Sequence, residues 1–211
     1  MTLQPPVPII YEDNHLLVVD KPAGLLTQPT PELNDSLETR LKAWLKSKYN
    51  KPGNVFLGAV HRLDKPVSGL VLFAKTSKAL SRLNASMREG KCRKTYTATL
   101  EGSLPDEHGT LEHYLIHDAH KAYIASKETP GAKLARLHYT LIKQEGACSE
   151  IEITLETGRY HQIRAQCAAM GAPIVGDVKY GSRSSKDEIA LRASRLEFPH
   201  PISEELLSLI L

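Results

Sequence analysis

At 211 residues, 41% apolar and 24% charged, the chain has the make-up of a globular protein with one substantial core or two small ones. A formal charge of +3 admits an acidic partner without demanding one. No apolar run approaches the ~20 residues of a membrane span, and residues 1–8 lack the basic and apolar regions of an export signal. Three scattered cysteines, Cys92, Cys148 and Cys167, suit reduced thiols in a cytoplasmic protein better than a disulfide frame or a zinc site.

Prolines 5, 6 and 8 make the first residues an extended arm. Residues 15–19, His-Leu-Leu-Val-Val, form the first buried strand, and Asp20-Lys21-Pro22-Ala23-Gly24 turns the chain at its end. Residues 27–34 are polar and proline-bearing, hence a loop. A helix starts at Asp35-Ser36-Leu37-Glu38, with an acidic N-cap and a glutamate three residues on. Leu37, Leu41, Trp44 and Leu45 fall on one of its faces. Pro52-Gly53 ends it and leads through residues 55–60 to the stretch richest in chemistry.

That stretch is His61-Arg62-Leu63-Asp64-Lys65-Pro66-Val67-Ser68-Gly69. It sets an imidazole, a guanidinium and a carboxylate within four positions, just before the apolar run Leu70-Val71-Leu72-Phe73-Ala74. The run reads as a buried strand; Pro66, which cannot donate to a sheet ladder, makes the preceding segment a loop. A polar loop at the mouth of a buried strand is well placed to present catalytic groups, because the strand fixes what the loop offers.

Thr76 then caps a helix carrying Leu80, Leu83 and Met87 on one stripe, and Gly90 stops it. Arg88, Lys91, Arg93 and Lys94 concentrate positive charge over seven residues, either as a solvated helix end or as phosphate contacts. Residues 93–102 alternate, with Tyr96, Ala98 and Leu100 on one face of a strand. Residues 103–133 are the least regular. His113, His117 and His120 could share a helical face there, but packing or surface histidines are the better reading, and no metal site is expected.

Leu137, Tyr139 and Leu141, then Ile151, Ile153 and Leu155, alternate on either side of Glu145-Gly146 and predict an antiparallel hairpin. It delivers the chain to Thr157-Gly158-Arg159-Tyr160-His161-Gln162-Ile163-Arg164, a basic turn opening a helix that Gly171 ends. Residues 189–198 predict a last strand, and Ser203 a cap for a short apolar terminal helix. No repeat or composition break divides the chain, so one domain over 1–211 is expected.

Taken together, these segments resemble the catalytic domain of the RluA-type RNA pseudouridine synthases. Asp20-Lys21-Pro22-Ala23-Gly24-Leu25 is similar to that family's first motif, residues 61–69 to its second, Lys94-Thr95-Tyr96 to the segment bearing its tyrosine, and residues 157–164 with Gly176-Asp177 and Tyr180-Gly181 to its third. Ala190-Leu191-Arg192-Ala193 and residues 196–201 complete the pattern. The resemblance implies that Asp64 is the catalytic aspartate, that Tyr96 packs on the target base, and that Arg164 lies beside the carboxylate. It further implies that His61, Arg62, Arg93, Lys94 and Leu191 contact the substrate, an rRNA or a tRNA. Val67, Gln166 and Arg192 depart from the residues usual at their positions.

The fold so implied is α+β: a mixed, largely antiparallel, bent sheet with flanking helices and a central active-site cleft. The RNA-binding S4 domain that often precedes it is not expected in the ten or so residues before the first strand. The reaction breaks an N-glycosidic bond, turns the uracil over and rejoins it through C5 to the same sugar carbon. It needs no redox partner or outside group, so no cofactor is expected, and a cytoplasmic monomer is. Two other classes fit less well. An RNA-binding module that had lost catalysis would have no use for Asp64, Tyr96 and Arg164 together, and a glycosidase would need a second carboxylate that no motif supplies.

Overall fold

The computed structural model describes residues 4–185 and 188–211. In chain order the elements are β1 (Ile9–Glu12), β2 (Leu16–Lys21), α1 (Leu37–Lys48), β3 (Gly58–Ala59), β4 (Ser68–Ala74), α2 (Ser77–Arg88) and β5 (Arg93–Glu101). They continue with β6 (His108–His117), β7 (Ala122–Ala125), β8 (Lys133–Glu145), β9 (Cys148–Leu155), α3 (Gln162–Ala169), β10 (Leu191–Pro199) and β11 (Leu206–Ile210). The class is α+β, with strands in a mixed, mostly antiparallel arrangement, as the sequence implied. Two compact units form: one from residues up to 92 together with 193–211, the other from residues 93–192.

In the first unit the strands run in the order β1, β2, β4, β10, β11. Residues 16–19 of β2 and 70–74 of β4 have essentially no exposed surface, as continuous apolar runs covered on both faces should. Leu16, Val18, Leu70, Leu72 and Ala74 pack with Leu196 and Phe198 of β10 and with Ala79 and Leu83 of α2. Of the stripe expected on α2, Leu83 is buried and Leu80 packs partly buried against this core, while Met87 stays outside it; Thr76 caps the helix by accepting from the Ala79 amide. Leu37, Leu41, Trp44 and Leu45 are the buried apolar side of α1.

The second unit runs β5, β9, β8, β6, β7. The expected hairpin is present, pairing Leu137 with Leu155, Tyr139 with Ile153 and Leu141 with Ile151. Leu115, Ala122, Ala135, Ala165 and Tyr180 form a smaller core against α3.

Four expectations change. The cap of α1 is Ser36, which accepts from the Thr39 amide while Thr39 returns the bond to the Ser36 amide. Asp35 is drawn away by Arg40, and Glu38 by Lys42 and Gln28. The extended arm contains a short strand, β1, whose pairing with β2 its prolines leave intact because they lie before it. Residues 108–117 are a strand of ten, not a helix, so the three imidazoles never share a helical face. The terminal segment is also a strand: residues 206–210 pair with 195–199 of β10. Its Leu-Leu-Ser-Leu-Ile run alternates in exposure, and that period of two, set by an unfilled neighbouring edge, overrides the capping signal at Ser203. Among the described residues no helix is long and apolar enough to cross a membrane.

Gly69 is where the first unit tolerates no side chain. Its φ is +114°, and a Cβ there would lie 2.3 Å from the Ala193 carbonyl oxygen of β10. Gly69→Ala should therefore cost about 3 kcal/mol or more of stability, combining a forbidden backbone conformation with a backbone clash. Urea unfolding of the two proteins measures it; a loss below 1 kcal/mol, within about the range of a surface substitution, would show that β4 and β10 are not so closely apposed.

Candidate active site

The antiparallel pairing of β2 with β4 sets Lys21 opposite Gly69 and Asp20 opposite Leu70. The last residue of one buried strand thus stands beside the second of the other, where the loop carrying Asp64 enters. Residues 21–27 hold that loop through several bonds. The Gly24 amide donates to the Lys65 carbonyl at 2.8 Å. Thr27 brackets Leu63, its hydroxyl donating to the Leu63 carbonyl at 2.9 Å and accepting from the Leu63 amide at 3.1 Å. Leu63 is itself buried, and the Val67 amide closes a turn onto the Asp64 carbonyl at 3.1 Å.

Lys21 completes the support. It has 0% exposed surface, and its Nζ donates to the carbonyls of Leu25 (2.7 Å), Pro22 (3.0 Å) and Lys65 (3.3 Å). Burial pulls its pKa down to about 8, and the negative charge of Asp64 opposes that fall. An ammonium held on three carbonyls thus sits within electrostatic reach of a half-buried carboxylate. Lys21 was not among the residues singled out for a role. A lysine ending a strand ordinarily reads as exposed; its strand being apolar on both faces, and Pro22 turning the chain back beneath the loop, are the signals that it is not.

The other candidates of this loop differ in character. His61 turns inward: its Nε2 lies 3.2 Å from the Leu72 amide and can only accept, so the proton of the neutral ring is on Nδ1. One nitrogen is therefore committed to the edge of β4. Arg62 is exposed. Of the cationic cluster, Arg88 belongs to the last turn of α2, where the helix dipole favours it, and Lys91 pairs with Glu89 at 2.7 Å on the surface.

The second unit gathers its own set. Arg164, 5% exposed, grips Asp177 with both arms, Nε to Oδ2 at 2.7 Å and Nη2 to Oδ1 at 2.8 Å. Nη1 lies 3.0 Å from Nε2 of His161, and an arginine can only donate, so that nitrogen is unprotonated and the imidazole carries its proton on Nδ1. That Nδ1 lies 3.0 Å from the Tyr180 hydroxyl, which also accepts from the Ala122 amide and donates to the Ala122 carbonyl. Three guanidinium donors, the imidazole N–H and the Tyr180 hydroxyl each meet an acceptor, so the guanidinium plane is fixed. Losing either member of the Arg164–Asp177 pair would strand the other at a cost of about 3–5 kcal/mol. Asp177 and Tyr180 were visible as motif residues; their joint hold on Arg164 is what the sequence did not display.

Tyr96 is buried in β5, opposite Ile153 of β9. Arg93 opens the same strand and is exposed, and Lys94 Nζ lies where a side chain on Gly158 would begin, 3.1 Å from its Cβ position. Leu191 opens β10 and is buried. Gln166 is fully buried and donates to the carbonyls of Leu111 and Ala135. It also contacts His113 Nδ1 at 3.1 Å, so this departure from the usual residue serves to tie α3 to two strands.

Known proteins resemble this chain along most of its length. The family model for RNA pseudouridylate synthase matches residues 15–169. The uncharacterized RNA pseudouridine synthase YhcT of Bacillus subtilis is 34% identical over 94% of this chain, and ribosomal large subunit pseudouridine synthase D of Nitrosomonas europaea is 34% identical over 96%. The chain spans 66% and 60% of those two proteins. The dual-specificity RNA pseudouridine synthase RluA of Pasteurella multocida is 34% identical, with 92% of its length covered. Among solved structures, the human RNA pseudouridylate synthase domain containing 4 superposes with a TM-score of 0.81 at 22% identity, over 97% of this chain and 87% of that one.

The depressed pKa of Lys21 fixes a pH signature. Between about 8 and the ordinary lysine value the unfolded chain holds this proton and the folded one does not, so stability should rise with pH across that window. Below it the penalty for burying the charge is constant. Unfolding free energies measured at pH 7.5 and pH 10 should differ less in Lys21→Met than in the parent; an equal rise in both would show that the ammonium is not desolvated.

Proposed function

The chain belongs to the RNA pseudouridylate synthase family, and from that membership we infer that it isomerises uridine to pseudouridine in RNA. The reading is carried by the agreement between a family match that spans Asp64 and Arg164 and a carboxylate loop pinned through Lys21, Gly24 and Thr27. In this proposal Asp64 acts ionised, either on C1′ of the sugar or on the 2′ proton, and Lys21 positions it.

The uridine must leave its stack to be reached, at a cost of a few kcal/mol. Tyr96 offers the base an aromatic face, worth about 1–3 kcal/mol by comparison with single-strand stacking. Arg164, its plane set by Asp177 and His161, supplies fixed positive charge to the reaction. Arg62, Arg93 and Lys94 meet phosphates, while His61 and Leu191 line the base. Bond cleavage and re-formation occur between the same two fragments, so the proposal requires no cofactor. The RNA is an rRNA or a tRNA, and the similarity to a ribosomal large subunit pseudouridine synthase supports the first of these. The catalytic set lies within one chain, which supports a monomer, and the three free cysteines suit the reducing cytoplasm.

Asp64→Asn tests the assignment. The variant should fold and bind RNA with near-parental affinity, yet release no tritium from RNA labelled at uridine C5, where the parent releases it readily. Release by the variant at a tenth of the parental rate or more would remove Asp64 from the chemistry.

A further inference from the structure

We propose that a second nucleotide of the substrate RNA, flanking the target uridine, binds in a shallow cavity of the second unit formed by His117, Gly131, Lys133, Gly158, Arg159 and Tyr160. The proposal rests on the reading of the chain as an RNA-modifying enzyme and adds a subsite to it. The cavity has a volume of about 330 Å³, at the small end of the ~300–1,000 Å³ typical of ligand sites and suited to a single nucleotide unit.

Its chemistry is that of a phosphate beside a ring. Lys133 and Arg159 bring two permanent positive charges, and among the described residues no carboxylate lines the cavity. Arg159 is anchored by one bond, Nε to the Leu134 carbonyl at 2.9 Å, which aims the guanidinium while its two Nη groups take no partner among the described residues. The Lys133 ammonium likewise has none. Lys94 adds a third cation at the rim, its Nζ 3.1 Å from where a side chain on Gly158 would begin. Glycine at that position keeps backbone and lysine within reach of a common ligand.

The aromatic wall is held in place before any ligand arrives. Tyr160, 38% exposed, stacks on His161 with ring centroids 3.9 Å apart at 17°, and His117 tilts against it at 5.2 Å. Presenting a ring fixed in this way costs little rotamer entropy on binding. His117 Nδ1 lies 3.0 Å from the Asp118 carbonyl and must donate to it, so Nε2 of the neutral ring is an acceptor for a base amino group or a 2′-hydroxyl. An acceptor for a hydroxyl, an aromatic surface and cations without a carboxylate together favour ribonucleotide over a simple anion. The wall also continues into the clamp already described: Tyr160 stacks on His161, and His161 bonds Arg164. A nucleotide against Tyr160 therefore lies one ring from the residue that orients Arg164, which suits a neighbour of the target uridine in the same strand.

The probe is total RNA from cells lacking this gene, labelled with tritium at uridine C5, with filter binding run beside tritium release. Lys133→Gln, a change at an exposed position, should raise the half-saturating RNA concentration roughly three- to tenfold and leave the saturated rate unchanged. It should also flatten the plot of log affinity against log salt by about 0.7, the contribution of one single-strand phosphate. Lys133→Arg should restore both. His117→Ala should weaken binding without altering the salt slope, since it removes no permanent charge. A Lys133→Gln protein with parental half-saturation and parental slope overturns the subsite. If instead the parent releases no tritium, the enzymatic reading fails on its own terms, and the filter-binding slopes still decide whether RNA occupies the cavity.

Discussion

A charged lysine with no exposed surface is expensive, and the first unit is arranged around keeping one. Lys21 ends a strand buried on both faces, so its ammonium must find partners inside the protein, and it finds three carbonyls from the turn after β2 and from the Asp64 loop. Those bonds satisfy the lysine and at the same time fasten the loop. The same register that puts Lys21 opposite Gly69 requires glycine there, because β10 passes too close for any side chain. Strand pairing, loop position and the electrostatics of the carboxylate are in this sense one constraint.

The second unit solves a related problem with different groups. Arg164 is buried beside Asp177, a pair whose desolvation would cancel much of its attraction were the remaining donors left idle. His161 accepts from a further guanidinium N–H, Tyr180 and the Ala122 backbone hold that imidazole in turn, and only one imidazole tautomer fits the chain of donors and acceptors. His161 itself has φ +50°, a conformation uncommon outside glycine, and it marks the start of α3. Strain concentrated where a functional side chain must be aimed is the usual pattern for a site whose geometry matters more than its stability.

The sequence displayed strands and helices wherever a single period dominated. Residues 70–74 read as a buried strand, the Leu80–Leu83 stripe as a core-facing side of a helix, and the 137–155 hairpin carried its own turn. Residues 108–117 were opaque because histidine, tyrosine and threonine half-bury on either face of a sheet and blur the alternation. The terminal strand was missed for another reason: whether Leu206 to Ile210 coils or extends depends on the vacant edge of β10, which no local window contains. The loop around Asp64 stood out through its motif, as did the segments that carry Arg164 and Tyr96, and the roles proposed for them rest on those motifs. Lys21 did not stand out, since nothing in a list of residue types tells a buried lysine from an exposed one until its strand is seen to be covered on both faces.

The central claim is that this chain makes pseudouridine and that Asp64 is indispensable to it. Mapping pseudouridines in total RNA from cells with the gene, without it, and without it but carrying the Asp64→Asn form tests that claim most directly. At least one site in rRNA or tRNA should be present in the first, absent in the second, and still absent in the third. Identical maps from all three, or a site restored by the Asp64→Asn protein, would contradict it.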